Sequence, residues 1–286
     1  MSPHIAILGA GPGGYVAAIR AAQLGARVTV IEREALGGVC LNAGCIPSKA
    51  LLSVVELGQK MAKAADFGIV GVGPVSYDPS RMVARKNRVV DSLTKGIATL
   101  FKSWGIDHHT GSGRLVDGRT VQVTRADGSE TRVDADAIVI ATGSSWPNLP
   151  LFPVDGRRII TSKEALDLAA IPASILIVGG GVEGCEFASL YRGLGAQVTM
   201  VELMPRLLPL EDAEIAGAIE RELKKQGVEI HSGTTVSQLH QEPAGLTAEL
   251  KSGERITVEQ ILVSVGRGFN SRGIGLEQVG VAVGRR

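Results

Sequence analysis

The sequence is short of the features that mark several protein classes. Aromatic residues make up 3% of its 286 positions, and only three cysteines occur: Cys40, Cys45 and Cys185. So few cysteines, odd in number, argue against the disulfide framework that staples small secreted domains. Net charge is only +1, with 30 Lys and Arg against 29 Asp and Glu. That balance offers no general pull toward nucleic acid or an anionic membrane, so neither is expected as a partner. No uninterrupted apolar run approaches the roughly 18 residues of a membrane span. The opening MSPHIAILGAG has neither a basic n-region nor an apolar signal core. A cytoplasmic location is the resulting expectation.

Glycine, by contrast, is abundant at 37 residues, as suits turns where backbone must come close to a ligand. A chain of this length can bury two α/β cores, and an internal repeat indicates how they are built. HIAILGAGPGGYVAAIRAAQLGARVTVIERE, from His4, matches SILIVGGGVEGCEFASLYRGLGAQVTMVELM, from Ser174. Gly9, Gly11, Gly14 and Glu32 recur 170 residues later as Gly179, Gly181, Gly184 and Glu202. Each copy reads as a buried parallel strand, a glycine turn, a helix, and a second buried strand ending in an acid. The expected class is α/β: two tandem Rossmann-like dinucleotide-binding domains, each a parallel sheet flanked by helices with a small β excursion.

Between the repeats, helices are expected over Ile46–Lys63 and Ser80–Trp104, either side of a break at Gly71–Pro74. Short alternating runs in Gly111–Val133, with a turn at Asp127-Gly128, predict the β excursion. Further buried strands are expected at Asp136–Gly143 and Glu259–Arg267. SSWPNLPLFPVDG, from Ser144, reads as a proline-rich linker, and Gly268–Arg286 shows no clear element.

The glycine spacing has a chemical reason. Gly9 permits a tight turn, Gly11 lets backbone approach a pyrophosphate, and Gly14 lets the helix pack close to the strand. The phosphates would rest on the helix N-terminus, where free N–H groups and the dipole favour negative charge. Glu32 ends the next strand, placed to accept hydrogen bonds from an adenosine ribose. In the second copy Glu202 would pair with a ribose 2′-hydroxyl and repel a 2′-phosphate, favouring NAD over NADP. Arg206 is the nearby cation that could reach that site. A lone GxGxxG is weak evidence; two copies with strand, helix and acid at one spacing are not.

GGVCLNAGCIPSK, from Gly37, carries two cysteines five residues apart. Pro47 suits the first turn of the following helix, which puts Cys45 at the helix's positive end, where a thiolate is stabilised. Lys49 is four residues on, on the same helical face. Two cysteines this close can form a disulfide that cycles with a dithiol. They could also be ordinary buried cysteines or half of a metal site. A metal site needs about four ligands, and no second cysteine pair or suitably spaced His/Cys partner is visible; His108-His109 is poorly spaced. No metal is expected. Cys185 reads as a small buried residue. Glu186, one turn into the second glycine helix, is either a solvated glutamate or an active-site residue opposite Lys49.

GGVCLNAGCIPSKALL resembles the redox segment of the pyridine nucleotide–disulfide oxidoreductases, and within them the dihydrolipoamide dehydrogenase branch. Leu41, Ile46, Ser48 and Ala50-Leu51-Leu52 carry the finer likeness; Ala141-Thr142-Gly143 and Val265-Gly266-Arg267 extend it over the chain. The resemblance implies that Cys40 meets the dithiol, Cys45 faces the flavin, and Lys49 lies beside the isoalloxazine paired with Glu186. It implies FAD on Gly9, Gly11, Gly14, Glu32, Gly37, Gly38, Cys40, Lys49, Gly113, Thr142, Gly143 and Ser144. NAD is implied on Gly179, Gly181, Gly184, Glu186, Glu202, Val236 and Gly266. The implied partner is the dihydrolipoyl domain of a 2-oxoacid dehydrogenase or glycine cleavage complex, served by a homodimeric parent protein.

Full-length members of this family continue into a Gly-Asp motif and a dimer-interface domain with an acid/base histidine. This sequence has no Gly-Asp dipeptide, and none of His4, His108, His109, His231 or His240 fits that role. The expectation is an N-terminal fragment of low activity, since a general base is typically worth about 10²–10⁴-fold. Its expected division is 1–148 for FAD, lacking a closing strand, 149–268 for NAD, and a tail of 269–286. Two other readings stay open: a related flavoprotein reductase with another electron acceptor, and a non-catalytic nucleotide-binding fragment.

Overall fold

The computed structural model describes residues 2–284 apart from positions 168 and 244. In chain order it opens with β1 (His4–Leu8), α1 (Pro12–Gln23), β2 (Arg27–Glu32), α2 (Gly38–Ala43), α3 (Cys45–Ala62) and α4 (Pro79–Ser103). Short strands follow: β3 (Asp107–Thr110), β4 (Ser112–Leu115), β5 (Thr120–Thr124), β6 (Glu130–Asp134), β7 (Ala137–Ile140), β8 (Ser144–Ser145) and β9 (Ile159–Ile160). Next come α5 (Ser162–Ala165), β10 (Ser174–Val178), α6 (Val182–Gly193), β11 (Gln197–Glu202) and α7 (Ala213–Lys225). The chain finishes with β12 (Glu229–Ser232), β13 (Val236–Glu242), β14 (Gly245–Leu250), β15 (Arg255–Val258), β16 (Gln260–Val263) and β17 (Gly268–Phe269).

Two compact units result, neither contiguous in sequence. One is Met1–Ile46 with Arg88–Ser145 and Arg267–Arg286; the other is Pro47–Asn87 with Trp146–Gly266. These units differ from the division at 148 and 268 expected from sequence. Leu51 and Val55 of α3 join the second unit's core, while Leu276 joins the first's. Positions 285 and 286 of the expected tail lie outside the described residues.

The first unit holds a parallel sheet in the order β3-β2-β1-β7. Side chains alternate across a strand, so Ile7, Val28 and Val30 meet Ala18, Ile97 and Phe101 on the helical face. Ala6, Leu8 and Ile31 meet Val121, Val123 and Val133 of the antiparallel β4-β5-β6 sheet on the other. Covered on both faces, β1 and β2 read as continuous apolar runs. The second unit repeats the plan with a parallel sheet ordered β12-β11-β10-β16-β9. Ile175 and Ile177 face Phe187, Tyr191 and Leu223, whereas Leu176 and Val178 face Leu246, Ala248 and Leu250 of the β13-β14-β15 sheet. The repeat seen in sequence is therefore a repeat of layers.

Three expectations need correction. The strand at Asp136–Gly143 is shorter and not buried: β7 is an edge strand on which Val139 and Ile140 stay exposed. The segment after Gly268 is not featureless, because β17 pairs with β8 and a 3₁₀ turn forms at Glu277–Val279. The proline-rich stretch is no plain linker either, since Phe152 is buried in the second unit's core. The stretch Gly38–Ala62 is long and apolar enough in composition to cross a membrane, although no uninterrupted run suggests it. It is two helices broken at Gly44, with Leu41, Leu51 and Val55 buried.

Candidate functional site

The two glycine turns are held by the same contacts. Gly9 and Gly179 take φ of 99° and 110°, a region that favours glycine. A Cβ at Gly9 would overlap the carbonyl oxygen of Ala141, and one at Gly179 the carbonyl oxygen of Ser264. At Gly14 and Gly184 it would strike the carbonyl oxygens of Gly9 and Gly179. These four glycines are required by the fold itself.

Gly11 and Gly181 are different. Each caps its helix in extended backbone, φ −71° and −73°, which any residue adopts. A Cβ at Gly181 meets no described atom within 4 Å, and one at Gly11 meets only the Cα of Gly38, at 3.7 Å. Packing does not account for glycine at either place. A group approaching the backbone does: neither helix has a side-chain cap over its first turn, and a helix N-terminus without one offers backbone N–H groups to an anion. The residues present therefore fit a pyrophosphate at each turn.

Each turn also has an acid beside it, anchored by peptide groups. Glu32 accepts hydrogen bonds from the Ala10 N–H (2.7 Å) and the Glu34 N–H (2.8 Å). Glu202 accepts from the Gly180 N–H (2.6 Å) and the Met204 N–H (2.7 Å). Both carboxylates are buried. A carboxylate has about four lone-pair positions, so each keeps capacity for ribose hydroxyls while its orientation is already fixed.

In the first unit the glycine turn meets the cysteines. Gly37 and Gly38 have φ of 97° and 58°, and a Cβ at Gly38 would crowd the Cα of Gly11. The start of α2 thus lies directly against the first glycine turn. The Asn42 side-chain amide ties this corner down, donating to the Leu36 carbonyl (3.0 Å) and the Gly38 carbonyl (2.9 Å). Cys40 on α2 is disulfide-bonded to Cys45, with Cα atoms 4.7 Å apart, inside the usual range for such a bridge. Cys40 is half-buried and Cys45 exposed. Cys45 is the first residue of the 18-residue α3, where the helix dipole favours a sulfur anion.

In the second unit Lys49 Nζ donates to Glu186 Oε1 (2.6 Å) and Ser48 Oγ to Glu186 Oε2 (3.1 Å). Glu186 is therefore not a simple solvated glutamate. Ser264 Oγ donates to Glu183 Oε2 (3.1 Å). Cys185 is buried beside them, its Sγ–H donating to the Gly180 carbonyl. Burial, then the charges of Glu202, Glu186 and Glu220, push this thiol up to about 12. It stays a neutral structural thiol.

Of the remaining sequence candidates, Thr142 adjoins the first glycine turn, its Cα 3.3 Å from a Cβ built on Gly9. Thr142 Oγ1 donates to the Asn270 carbonyl (2.7 Å), the Asn270 N–H to the Gly143 carbonyl (3.0 Å), and Arg267 to both oxygens of Ser144. This trio is tied to the returning 267–270 segment. Gly113 has a packing reason to be glycine, because a Cβ there would press on Leu8, Ile31 and Val121. Gly266 (φ 94°) follows two residues after the Ser264 carbonyl at the second turn. Val236 does not join that turn through its side chain, which is buried among Leu246 and its neighbours. A metal-ligand cluster was not visible in sequence, yet Glu229, His231 and Glu254 bring ligand atoms within 4.8 Å of one another. Spacing of two on β12 puts the first two on one face, and Glu254 arrives from the β14–β15 turn. Both imidazole nitrogens face carboxylates, at 3.1 and 3.5 Å. Asn42 and Asn270 were missed as supporting residues, and Ser48 and Arg267, though part of the family likeness, were given no role in the site; Asn42 is a lone amide in an apolar stretch.

The profile of the family described as Pyridine nucleotide-disulphide oxidoreductase matches residues 3–286. A dihydrolipoyl dehydrogenase of Bacillus subtilis is 42% identical over 281 residues, 97% of this chain and 61% of the relative. One from Chlorobaculum tepidum is 41% identical over 285 residues, 98% and 61% of the two chains. Among solved structures, LpdA from Mycobacterium tuberculosis matches with a TM-score of 0.91 at 32% identity, covering 99% of this chain and 62% of that one. The HOCl-induced flavoprotein disulfide reductase RclA from Escherichia coli matches at 0.83 and 27%, covering 99% and 61%. The chain spans about three fifths of the length of the curated relatives it matches.

Proposed function

From a chain that belongs to the pyridine nucleotide-disulphide oxidoreductase family, we propose an enzyme that moves an electron pair between a dithiol and NAD, with Cys40 and Cys45 as its redox pair. The family's cofactors are FAD and NAD, and bound FAD supplies the two-electron relay between sulfur and nicotinamide. FAD would be held by Gly9, Gly11 and Gly14 with Glu32, and NAD by Gly179, Gly181 and Gly184 with Glu202. Dihydrolipoyl groups are the proposed dithiol, in line with the names of the relatives, and the lipoyl domain of a multienzyme complex the proposed partner.

The sulfur chemistry follows from where the two cysteines stand. A substrate thiolate attacks Cys40 Sγ, the Cys40–Cys45 bond breaks, and Cys45 departs as a thiolate. Departure is easier from the sulfur whose anion is better stabilised, and Cys45 begins α3. The second substrate thiol gives its proton to solvent and attacks the substrate sulfur of the mixed disulfide, releasing Cys40. The substrate leaves as a disulfide, oxidised by two electrons, and the cysteine pair is reduced by two.

One observation carries this reading: the disulfide-bearing corner begins against Gly11, the glycine that packing leaves unexplained. Absorbance of the purified chain tests it. Flavin absorbance with a long-wavelength band on adding dithiothreitol, lost in Cys45→Ser, is the expected result. Colourless protein that binds NAD would sink it. The likeness to RclA favours a second reading, reduction of a different disulfide, which an assay with lipoamide against other disulfides separates.

A further inference from the structure

The segment 203–212 carries a single cation, Arg206, four residues past the acid of the second glycine turn. In sequence it is the obvious candidate to receive a 2′-phosphate. In the structure its guanidinium is turned onto its own loop. Nη1 donates to the Leu208 carbonyl (3.1 Å), and Nη2 to the carbonyls of Pro209 (3.1 Å) and Glu211 (2.8 Å). Leu208 is the only non-glycine residue at positive φ among the described residues, 48°, a conformation that needs outside support. Its N–H donates to the Gly180 carbonyl (2.8 Å). At the loop's other end the Met204 N–H holds Glu202 Oε1, and the Met204 carbonyl accepts from the Gly233 N–H (2.9 Å). One guanidinium therefore closes the loop that aims the acid.

We propose that Arg206 is a positioning residue for coenzyme selectivity: engaged with three carbonyls, it holds the 203–212 loop against Glu202 and leaves a 2′-phosphate facing a carboxylate and no cation from that loop. This rests on the reading of the second glycine turn as an NAD site. Arg206 does not touch the coenzyme. Its effect passes through the Met204 N–H to the orientation of Glu202, and through Glu202 to the ribose 2′-hydroxyl.

Fluorescence titration of the purified chain with NADH, NADPH and 2′-deoxy-NADH reads this without any turnover. Wild type should prefer NADH to each of the others by roughly 10–100-fold, the worth of a charged hydrogen bond. Glu202→Ala should bind NADH and NADPH within about threefold of each other, because removing the acid does not deliver a cation. Arg206→Ala should keep its far-ultraviolet circular dichroism and lose most of the preference for NADH over 2′-deoxy-NADH. Arg206→Lys keeps the charge without the planar fork; it should show the same loss, and stands in if the alanine variant fails to fold. The inference is overturned if Glu202→Ala prefers NADPH tenfold or more, or if the Arg206 variants discriminate the 2′-hydroxyl as wild type does. Wild type binding neither NADH nor NADPH would take down the NAD reading as well. The two failures are thus distinct.

Discussion

Substituting the first and third glycines of the β10–α6 turn in parallel should separate what the fold needs from what a ligand needs. Gly179→Ala places a side chain at φ 110° and drives its Cβ into the Ser264 carbonyl oxygen. The backbone strain is worth about 1–3 kcal/mol and the overpacking a similar amount, so a loss of about 2–6 kcal/mol is expected from these two effects. For a unit of this size that lowers Tm by roughly 10 °C. Gly181→Ala meets neither problem, with φ −73° and open space where its Cβ would stand. Stiffening the unfolded chain stabilises it by about 0.4–1 kcal/mol, while alanine is a poorer N-cap than glycine by a comparable amount. These offset, and Tm should stay within about 3 °C of wild type. Its NADH affinity should nonetheless fall roughly tenfold or more, because the methyl occupies the approach to the backbone. Differential scanning fluorimetry and NADH fluorescence titration on the same samples decide the matter. The reasoning is refuted if Gly181→Ala keeps wild-type NADH affinity, or if it loses as much Tm as Gly179→Ala.

Other expectations follow from individual contacts. Cys185 should resist iodoacetamide at pH 8 in the native protein and react once in denaturant, since its thiol is held near 12. Because burial favours the neutral thiol, its contribution to stability is intact below the unfolded value near 9 and is lost as pH climbs from there toward 12. Cys185→Ala should therefore lose Tm less steeply between pH 9 and 11, and equal slopes would contradict this. Glu186→Gln removes the partner of Lys49, whose side chain is 61% exposed; an exposed pair is worth at most about 1 kcal/mol, so a Tm drop beyond about 4 °C would be unexpected. Asp167→Ala leaves the buried Lys86 ammonium, 5% exposed, donating to the Leu166 carbonyl at 3.0 Å without its carboxylate partner. Urea unfolding should register a loss of about 1–2 kcal/mol, below that of a fully buried pair because Asp167 itself is solvated.

The parts of the fold that were legible in sequence are those written as local periodicity. The glycine turns, the acids that follow them and the two-faced strands β1 and β10 carry their pattern within about thirty residues. The exposure of Val139 and Ile140 was not legible, because an apolar run looks the same at the centre of a parallel sheet and at its edge. The return of 267–270 to Thr142 and Ser144 was not legible either: two-residue strands have no period, and their partners are over 120 residues away. The allocation of α3 depends on which core Leu51 and Val55 meet, which no helical spacing states. For Arg206, sequence shows a cation near an acid; only the structure shows three carbonyls already claiming it.

The path of the chain has a consequence for its birth on the ribosome. It leaves the first unit after Ile46, re-enters at Arg88, leaves again after Ser145 and re-enters at Arg267. The β4-β5-β6 side of that unit's core includes Leu276, with Ile274 and Val279 packed on it. The segment made first therefore lacks part of its cover until Leu276 has been translated, whereas the unit nested inside it has its β16 strand earlier. The cover from Leu276 thus arrives later than the nested unit's β16. Nascent β1 and β2 must wait with one face uncovered until β4-β5-β6 has been made, which leaves them in need of shielding by a chaperone.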